Sequence, residues 1–313
     1  MFIEKRKAGK DTKYYLVHSY RENGNVKKLR KYLGLNLSPV SLQKAREESE
    51  KQINRELKRL STEVFAFSLT KSQLNKLNKY EEKIKIRHLQ GWRWKIFTEK
   101  FTYNTNAIEG STIQLSEVPE ILRRKKAKNA EELETKGVAK AVAFIRTTKE
   151  DLSLNLIKKL HSLCFEGSKH FAGKFRNVEV VIRTGAGEIV HAGVPAAQLN
   201  EYLDDLISWY RENKDKFKPL ILATIIHNQF EFIHPFQDGN GRVGRLLLNF
   251  ILLKKGYPPI NINFVDRRKY YEALQEYSQH NDLKHTIKFL VEQYKKTLEQ
   301  VTTKLLIRKN VGP

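Results

Sequence analysis

The chain has almost no residues that could cross-link it. Its 313 residues include a single cysteine, Cys164, so no disulfide can form within it. Cys164 lies in an apolar helical pattern, which indicates a core thiol rather than a nucleophile. No cluster of Cys and His has metal-binding spacing. Stability must therefore come from a hydrophobic core, and this length with 40 % hydrophobic residues is sufficient for one.

Long apolar runs and acidic residues are also scarce. No apolar run is long enough to span a bilayer, and the first residues, MFIEKRK, lack a signal region. We therefore expect a soluble, cytoplasmic protein with no membrane contact. The 35 Asp and Glu face 58 Lys and Arg, for a formal net charge of +23. Such a charge favours solubility and attracts nucleic acid or acidic partners, but it does not determine the fold.

The most informative stretch is HPFQDGNGRVGR at 234–245. An apolar helical pattern over 220–233 precedes it and ends before Pro235, because the residue before a proline disfavours helical geometry. The glycines of 239–241 let the backbone approach a ligand, and Arg242 opens another apolar helical run. The pattern predicts a helix, a glycine-rich turn and a new helix N-terminus. This arrangement suits phosphate, since unpaired amides and the positive helix end both favour an anion.

Four side chains in this stretch have matching chemistry. Arg242 and Arg245, three residues apart, share one helical face and can fork onto phosphate oxygens. His234 is a candidate general base, because an imidazole is largely neutral at pH 7. Asp238 is a hard oxygen ligand for Mg²⁺. Each feature alone is more often part of a turn, but together they predict a nucleotide-phosphate site.

The stretch resembles the signature of the Fic family, His-x-Phe-x-(Asp/Glu)-Gly-Asn-Gly-Arg-x-x-Arg, at every specified position. The resemblance extends from about Thr105 into the 270s. Fic enzymes are typically AMP transferases that move AMP from ATP onto a protein Tyr, Thr or Ser hydroxyl. The resemblance implies a mostly α-helical Fic fold with a small β-hairpin flap, ATP as co-substrate and Mg²⁺ on Asp238. It assigns catalysis to His234 and ATP or phosphate binding to Phe236, Gly239, Asn240, Gly241, Arg242 and Arg245, with Phe236 also packed into the core.

The glycine at position 241 bears on the reaction. In the Doc-type branch of the family a lysine stands there and phosphate is transferred, so Gly241 argues against that reaction. The motif reads phosphates more than the base, so another nucleotide or a phosphocholine donor stays open. A basic nucleic-acid-binding or scaffold module without turnover is a function of another class. The intact His234 and Asp238 argue against it.

A second segment, TNAIEG at 105–110, places Thr105 and Glu109 on one helical face before Gly110, a suitable C-terminal cap. It resembles the Fic inhibitory motif, (Ser/Thr)-x-x-x-Glu-(Gly/Asn), in its position N-terminal to the catalytic core. The resemblance implies that Glu109 pairs with Arg245, withdraws it from the γ-phosphate and inhibits the enzyme. Glu109 could also orient a water for removal of AMP, and the balance between the two directions stays open.

A β-hairpin is predicted from strands 178–183 and 188–191 around Gly185-Ala186-Gly187. It resembles the Fic flap, whose edge would align a target segment by strand addition, and structural decoration is the alternative. This resemblance assigns target docking to Val178, Val180, Ile182 and Ile189. Tyr270 and Tyr271 stand where the family commonly has an aromatic residue near the adenine.

The first 60 residues are strongly basic, with 16 Lys and Arg against 7 Asp and Glu. Strands at 13–20 and 26–33 around Asn23-Gly24 predict a hairpin, and a helix follows from Ser41. Its interleaved aromatic and basic residues fit contacts with nucleic-acid phosphates, a dimer contact or a docking arm for protein substrates. We favour a protein contact or a structural role, because no helix or motif of known nucleic-acid-reading geometry is present.

The predicted organisation has three parts. A basic hairpin and helix occupy 1–62, a Fic domain 63–300 and a C-terminal tail 301–313. Within the Fic domain lie the inhibitory helix near 103–110, the flap at 176–191 and the catalytic core at 150–270. The remaining helical patterns fall at 72–103, 116–120, 129–147, 155–165, 197–212, 266–277 and 283–306. The helices and the N-terminal hairpin offer surfaces for a homodimer, and the sequence does not name the target protein.

Overall fold

The computed structural model describes residues 1–22, 25–60, 75, 78, 92–183, 189–280 and 282–301. The chain separates into two compact units, Met1–Ser68 and Leu69–Pro313. Most described residues are helical, and strands form two small antiparallel sheets. The predicted mostly α-helical class is therefore confirmed. None of the described helices has the length and apolarity needed to cross a membrane.

The first unit contains one more strand than predicted. Its antiparallel sheet has the order β1 (Phe2–Ala8), β2 (Asp11–Glu22) and β3 (Asn25–Leu35). The predicted hairpin corresponds to β2 and β3, while its Asn23-Gly24 turn lies outside the described residues. Strand β1 was missed because its sequence, FIEKRKA, is mostly charged and lacks a clear apolar alternation. It is held by pairing with β2, from Phe2 opposite Val17 to Ala8 opposite Asp11.

Helix α1 (Pro39–Leu60) follows the sheet and packs on β2 and β3. Pro39 suits the first helical turn, where its missing N–H leaves no hydrogen bond unmade. Just before the helix, the Ser38 hydroxyl accepts a hydrogen bond from the Ser41 amide at 3.2 Å. The predicted helix from Ser41 is therefore present and begins two residues earlier.

The second unit is built from helices. They are α2 (Trp94–Ile108), α3 (Val118–Arg123), α4 (Ala130–Thr147), α5 (Leu154–Phe165), α6 (Leu199–Asn213), α7 (Pro219–Ile233), α8 (Asn240–Lys254), α9 (Arg267–His280) and α10 (Leu283–Val301). Asn129 and Ser153 cap α4 and α5 by accepting the amides of Glu132 and Leu156. The part of the helical pattern over 72–103 that precedes residue 92 lies outside the described residues, apart from positions 75 and 78.

Helices α7 and α8 form the centre of this unit and pack against each other. Every residue from Leu220 to Phe230 is buried, as is every residue from Arg242 to Leu252. Helices that are apolar on all sides belong in the interior of a helical fold. The turn that joins them, residues 234–239, is therefore fixed by the most buried part of the unit.

The predicted β-hairpin is present but shorter than expected. Strand β4 (Val181–Arg183) pairs with β5 (Ile189–Ala192), and the turn at 184–188 lies outside the described residues. Val178 and Val180 precede β4, so their assignment to the strand is wrong. The Val178 carbonyl accepts from Arg176, whereas the Val180 carbonyl accepts from the Gly193 amide, directly beyond the last pair of the two strands. The side chains of Ile182 and Ile189 also lie outside the described residues.

Candidate active site

His234 stands at the end of α7 in an uncommon backbone conformation. Its φ of 53° and ψ of 61° are left-handed, and its amide donates to the Phe230 carbonyl at 3.0 Å. A non-glycine residue in this region is held there by its surroundings and often marks a functional site. Pro235 then prevents the helix from continuing. The conformation directs the chain out of α7 at the predicted catalytic residue.

The ring of His234 has a defined tautomer. Its Nδ1 lies 3.2 Å from the Glu231 carbonyl oxygen. Because a carbonyl oxygen only accepts hydrogen bonds, Nδ1 must carry the proton. Nε2 then bears the lone pair that a general base requires.

Arg176 fastens this segment from the opposite side. Its side chain is fully buried, and its guanidinium donates to the carbonyls of His234 at 2.7 Å, Val194 at 2.5 Å, Val178 at 2.9 Å and Ile233 at 3.3 Å. Arg176 therefore ties both ends of the hairpin segment to the backbone of His234. Because Arg176 precedes the predicted hairpin, the sequence suggests that it affects protein targets more than ATP affinity, and the structure places it against the candidate base.

Phe236 and Asn240 hold the turn from inside. Phe236 is fully buried and stacks on the His161 ring, with centroids 3.9 Å apart. The Asn240 side chain accepts from the Phe236 amide and donates to the Phe236 carbonyl, both at 2.8 Å. These side chains therefore anchor the turn from within the protein, and the phosphate-binding role assigned to Phe236 and Asn240 stays a prediction. The backbone amide of Asn240, in the first turn of α8, still suits an anion.

His161 is a buried residue that the sequence analysis did not single out. Its Nδ1 accepts from the Gly173 amide at 2.8 Å, and its Nε2 lies 3.0 Å from the Asp238 carbonyl, to which it donates. Burial is the main cause that lowers the pKa of His161 to about 4. The ring is therefore neutral at pH 7 and holds the turn through one donor and one acceptor.

Two buried histidines, His161 and His227, and the half-buried Glu231 predict how stability changes with pH. Burial lowers the pKa of His227 to about 3 and raises that of Glu231 to about 8. Below about pH 6.5, His161 and His227 are protonated in the unfolded chain but stay neutral in the folded protein, so the free energy of unfolding falls as the pH drops. Glu231 acts oppositely, because the folded state keeps its proton between about pH 4.5 and 8 while the unfolded state loses it. Below about pH 6.5 the two histidines change the free energy of unfolding more than the single carboxyl does, so stability rises with pH. Above about pH 6.5 only Glu231 still changes it, so stability falls with pH.

We therefore expect the free energy of unfolding from these groups to be largest near pH 6.5, as measured by urea unfolding. Glu231→Gln should flatten the fall between about pH 6.5 and 8 by about 2 kcal/mol. Glu272→Gln, at an exposed position, is the matched control and should leave the pH profile unchanged. An unchanged alkaline fall in Glu231→Gln would show that Glu231 is ionised in the folded protein.

The glycines of the turn bring its backbone close to other elements. Gly239 has a φ of +82°, and a Cβ there would clash with the ring of Phe165. Helix α8 begins directly after it, so the amides of its first turn point out of the helix end. This is the predicted anion-binding geometry of glycine turn and helix N-terminus.

Arg242 is held by acidic residues from two sides. Its Nη1 lies 2.5 Å from Glu134 Oε2 of helix α4, and its Nη2 lies 3.5 Å from Asp238 Oδ1. Lys169 joins the group, 3.4 Å from Asp238 Oδ2 and 3.9 Å from Glu134 Oε1. Arg242 also lies over the ring of Phe165, 4.2 Å from its centroid. The guanidinium is thus fixed at the start of α8 by contacts that the motif does not contain.

Asp238 fits a magnesium ion that is shared with a nucleotide. Its side chain is 42 % exposed at the mouth of the turn. Among the described residues no group of three or more His, Cys, Asp or Glu could hold a metal by itself. Magnesium is commonly held by one or two carboxylates together with substrate phosphates, so a lone carboxylate is an adequate protein contribution here. The neighbouring Lys169 and Arg242 would repel a cation without those phosphates.

Arg245 and Glu109 form the predicted ion pair. Arg245 Nη2 lies 2.6 Å from Glu109 Oε1. Arg245 also donates from Nε to the Thr105 hydroxyl at 2.7 Å and from Nη2 to the Thr105 carbonyl at 3.1 Å. Gly110, with a φ of +91°, follows Glu109 at the end of α2. A Cβ on Gly241 would clash with Glu109 Oε1 and lie 2.9 Å from Arg245 Nη1, so glycine at 241 makes room for the pair.

Residues 151–252 match the model of the Fic/DOC family. The chain carries a Fic domain. It is 32 % identical over 213 residues to the protein adenylyltransferase Fic of Nematostella vectensis, covering 63 % of this chain and 47 % of that protein. The corresponding values for the protein adenylyltransferase Fic of Drosophila melanogaster are 29 % over 205 residues, 63 % and 40 %. The chain therefore spans less than half the length of these curated relatives.

Solved structures have the same fold as the unit that carries the Fic domain. A Fic domain containing signaling protein from Bacteroides thetaiotaomicron gives a TM-score of 0.62 at 24 % identity, covering 72 % of this chain and 94 % of that one. Residues 134–508 of Fic-1 from C. elegans give a TM-score of 0.60 at 22 % identity, covering 88 % of this chain and 80 % of that one. At these identities the likeness shows the fold.

The two tyrosines assigned to the adenine side of the Fic domain differ sharply. Tyr270 is 1 % exposed, and its hydroxyl lies 3.0 Å from His227 Nε2. It packs in the core, so its assignment to the adenine side is wrong for this conformation. Tyr271 is 47 % exposed, and its hydroxyl donates to the Ile108 carbonyl at 3.2 Å. Through this bond Tyr271 contacts the end of helix α2, next to Glu109, and it stays the candidate for the adenine side.

The motif search missed His161, Glu134 and the role of Arg176 in the Fic domain. In the sequence, His161 and Glu134 stand out only as polar residues in amphipathic helices, and the structure buries His161 and half-buries Glu134. Such residues are usually ordinary parts of a core or a surface, so this signal does not single them out. Their function becomes visible only through the partners that the fold brings to them.

Proposed function

We propose that this chain transfers AMP from ATP to a hydroxyl of a target protein. The observation that supports this proposal is the contact of His234 Nδ1 with the Glu231 carbonyl, which makes Nε2 the basic nitrogen, in a turn that leads directly into the N-terminus of α8. The curated relatives are named protein adenylyltransferases, which supports this function. They are longer than this chain, so the activity of the chain itself is a proposal.

In the proposed reaction, His234 Nε2 takes the proton from the target hydroxyl as the oxygen attacks the α-phosphorus of ATP. A new bond forms between that oxygen and the α-phosphorus, and the bond to the β-phosphate bridging oxygen breaks. AMP stays on the target and pyrophosphate leaves. The first-turn amides of α8 and the guanidinium of Arg242 stabilise the charge that develops on the leaving group. Magnesium bound at Asp238 would neutralise part of the phosphate charge.

Arg245 supplies the regulatory part of the proposal. A γ-phosphate needs its guanidinium, but the Glu109 carboxylate already occupies it at 2.6 Å. The carboxylate also places negative charge where the phosphates would lie. We therefore assign an inhibitory role to Glu109, with Thr105 as the residue that keeps Arg245 in place when Glu109 leaves.

The hairpin of β4 and β5 is proposed to align the target segment. A two-stranded ribbon has edges that can accept another strand through main-chain hydrogen bonds. Val181 in β4 is 45 % exposed, which leaves an apolar side chain at the surface of the ribbon. Arg176 connects this ribbon to His234, so docking and catalysis share one support.

Label position tests the proposed reaction. Cell extract would be incubated with the protein and Mg²⁺, using ATP labelled at the α-phosphate in one reaction and at the γ-phosphate in another. AMP transfer places the α-label, and not the γ-label, on protein. Label from the γ-position would indicate phosphate transfer. Absence of both labels with folded protein and with Glu109→Gly would rule out ATP as the donor for the targets present.

Arg176→Lys separates positioning of the base from nucleotide binding. Lysine keeps the charge but cannot reach four carbonyls with a planar fork, so His234 loses its support. We expect the transfer rate at saturating ATP to fall about 100-fold, while the Kd for ATP changes less than about twofold. Arg123→Lys, at an exposed end of α3, is the matched control. A loss confined to ATP affinity would contradict the role assigned to Arg176.

A further inference from the structure

Cations lie on both faces of the N-terminal sheet, four of them on the face that contains Arg6 and Arg30. The register places Arg6 opposite Lys13, Tyr15 opposite Tyr32, Val17 opposite Arg30 and Ser19 opposite Lys28. Residues that are paired across antiparallel strands point to the same side of a sheet. We call the face that carries these described side chains the basic face: Phe2, Glu4, Arg6, Asp11, Lys13, Tyr15, Val17, Ser19, Lys28, Arg30, Tyr32 and Leu35.

The opposite face carries Lys5, Lys7 and Lys31, and its centre is turned towards the unit's own core. Its apolar residues Ile3, Leu16 and Leu29 are buried or half-buried, and Leu16 is fully buried. Helix α1 packs on the two strands that carry Leu16 and Leu29. The basic face is more open, since Arg6, Lys28, Arg30 and Tyr32 are exposed, although Val17 at its centre is buried.

The charge on the basic face is unbalanced. Its described side chains include four cations and two carboxylates: Asp11, whose Oδ1 accepts from the Asn36 side-chain amide, and Glu4, which lies 2.8 Å from Arg6 Nε and 3.0 Å from Arg30 Nε. The wider segment up to residue 60 is equally one-sided, with 16 Lys and Arg against 7 Asp and Glu. A stripe of clustered cations on one face is complementary to a polyanion such as nucleic acid.

The spacing of these cations suits a duplex. On β2, Lys13 lies four positions from Val17, the partner of Arg30, which corresponds to about 13 Å along the strand. It lies six positions from Ser19, the partner of Lys28, which corresponds to about 20 Å. The major groove of DNA is about 12 Å wide and admits β-strands. Cations at both ends of the sheet can therefore reach phosphates on both sides of the groove. Proteins that read DNA with strands use this arrangement.

The aromatic residues do not favour a single strand. The Arg6 guanidinium lies 5.5 Å from the Tyr15 ring centroid, and the Tyr32 ring lies 5.4 Å away at a tilt of 55°. The ring of Tyr15 is thus partly covered by its own neighbours. Binding of a single strand relies on aromatic faces on which successive bases can stack. Phe2 and Tyr32 are exposed on this face but lie on β1 and β3, on opposite sides of β2, so they form no continuous stacking surface and the phosphate contacts dominate.

We propose that the basic face of the N-terminal sheet binds duplex DNA through its phosphates. This function is separate from AMP transfer and uses none of the residues of the Fic motif. The missed strand β1 is what completes the surface, because it brings Arg6 beside Lys13. The two-stranded hairpin expected from the sequence did not include Arg6, and a nucleic-acid role was not favoured there because no motif of known nucleic-acid-reading geometry is present.

Fluorescence anisotropy of a labelled duplex with the full chain tests the proposal. Four phosphate contacts predict a slope of about −3.6 for log K against log salt, so affinity should fall roughly a hundredfold between about 50 and 200 mM. Lys13→Gln, Lys28→Gln and Arg30→Gln combined should remove about 2.7 from that slope and weaken binding at least tenfold at about 100 mM salt. The same positions with charge retained, Lys13→Arg, Lys28→Arg and Arg30→Lys, should keep the affinity.

The control removes the same number of charges elsewhere. Lys125, Lys126 and Lys128 are exposed in the other unit, and their combined change to Gln should alter affinity less than twofold. Equal losses in both triple variants would overturn the assignment to the sheet, as would a flat salt response. Tighter binding of a single strand of equal length would overturn the duplex assignment. Matching melting curves establish that the variants fold. If the triple variant does not fold, the single variant Lys28→Gln replaces it and should reduce the magnitude of the salt slope by about 0.9.

Discussion

Replacing His234 with alanine is expected to abolish AMP transfer, with a rate loss of 10²- to 10⁴-fold, on the order that general-base catalysis contributes. The reason is local, since Nε2 bears the lone pair only because Nδ1 donates to the Glu231 carbonyl at 3.2 Å. The ATP Kd should change little, because the first-turn amides of α8 and the arginines do not depend on the imidazole. Transfer of α-label and titration with ATP measure the two effects separately.

Alanine also introduces a backbone problem that the experiment must separate from the chemistry. His234 has a φ of 53°, which costs a residue such as alanine roughly 1 to 2 kcal/mol. Asparagine tolerates this conformation and has no basic nitrogen, so His234→Asn is the matched variant. Both variants should be inactive, and the asparagine variant should melt closer to the wild type. Transfer that persists in His234→Asn would refute the assignment of His234 as the base.

The elements that sequence analysis predicted well are those with a local signal. The apolar patterns of 220–233 and 242–253 correspond to α7 and α8, and Pro235 and Gly239 mark the turn between them. The pairing of Glu109 with Arg245 was also anticipated, although 136 residues separate them. That prediction came from the family resemblance and not from spacing or periodicity.

The contacts that were not predicted join residues far apart in the chain and belong to no motif. Arg242 and Glu134 are 108 residues apart, His161 and Asp238 are 77 apart, and Arg176 and His234 are 58 apart. Nothing in a helical pattern states which residue of another helix will face a given side chain. The supporting contacts of the site are therefore a property of the packed fold.

Motif membership also failed to distinguish ligand contacts from internal support. Phe236 and Asn240 belong to the signature, but their side chains bond or pack within the protein. Tyr270 and Tyr271 are adjacent and chemically identical, and α9 buries one and exposes the other. The sequence alone gives both the same expectation, since which face of α9 packs inward is decided by the helices around it.

Glu109→Gly is expected to raise AMP transfer roughly 10- to 100-fold. A hydrogen bond to a charged group contributes about 1.5 to 3 kcal/mol, and each 1.4 kcal/mol corresponds to a factor of ten. Removing the carboxylate leaves the γ-phosphate as the partner for Arg245, which Thr105 still holds at 2.7 and 3.1 Å. Glu109 has a φ of −90° and ψ of 9° at the helix end, a conformation that glycine adopts without strain.

The chain contains a matched control for this substitution. Glu166 is exposed at the end of α5 and precedes Gly167, just as Glu109 ends α2 before Gly110. Glu166→Gly changes the same residue type at the same kind of helix end, without a contact to Arg245. It should leave transfer within about twofold of the wild type. The double variant Glu109→Gly with His234→Ala should show no label, because relief of inhibition cannot replace the base.

The opposite signs of activity and stability make the test specific to inhibition. Arg245 is 1 % exposed, so losing Glu109 leaves a buried charge with fewer partners and should lower the free energy of unfolding by about 1 to 3 kcal/mol. A general disturbance of the site would lower both stability and transfer, whereas release of an inhibitory carboxylate lowers stability and raises transfer. Glu109→Gln keeps a hydrogen-bond acceptor but removes the charge, so its transfer rate and its stability should lie between those of the wild type and Glu109→Gly. Reduced stability with unchanged transfer in Glu109→Gly would show that the Glu109 and Arg245 pair stabilises the fold and does not inhibit the enzyme.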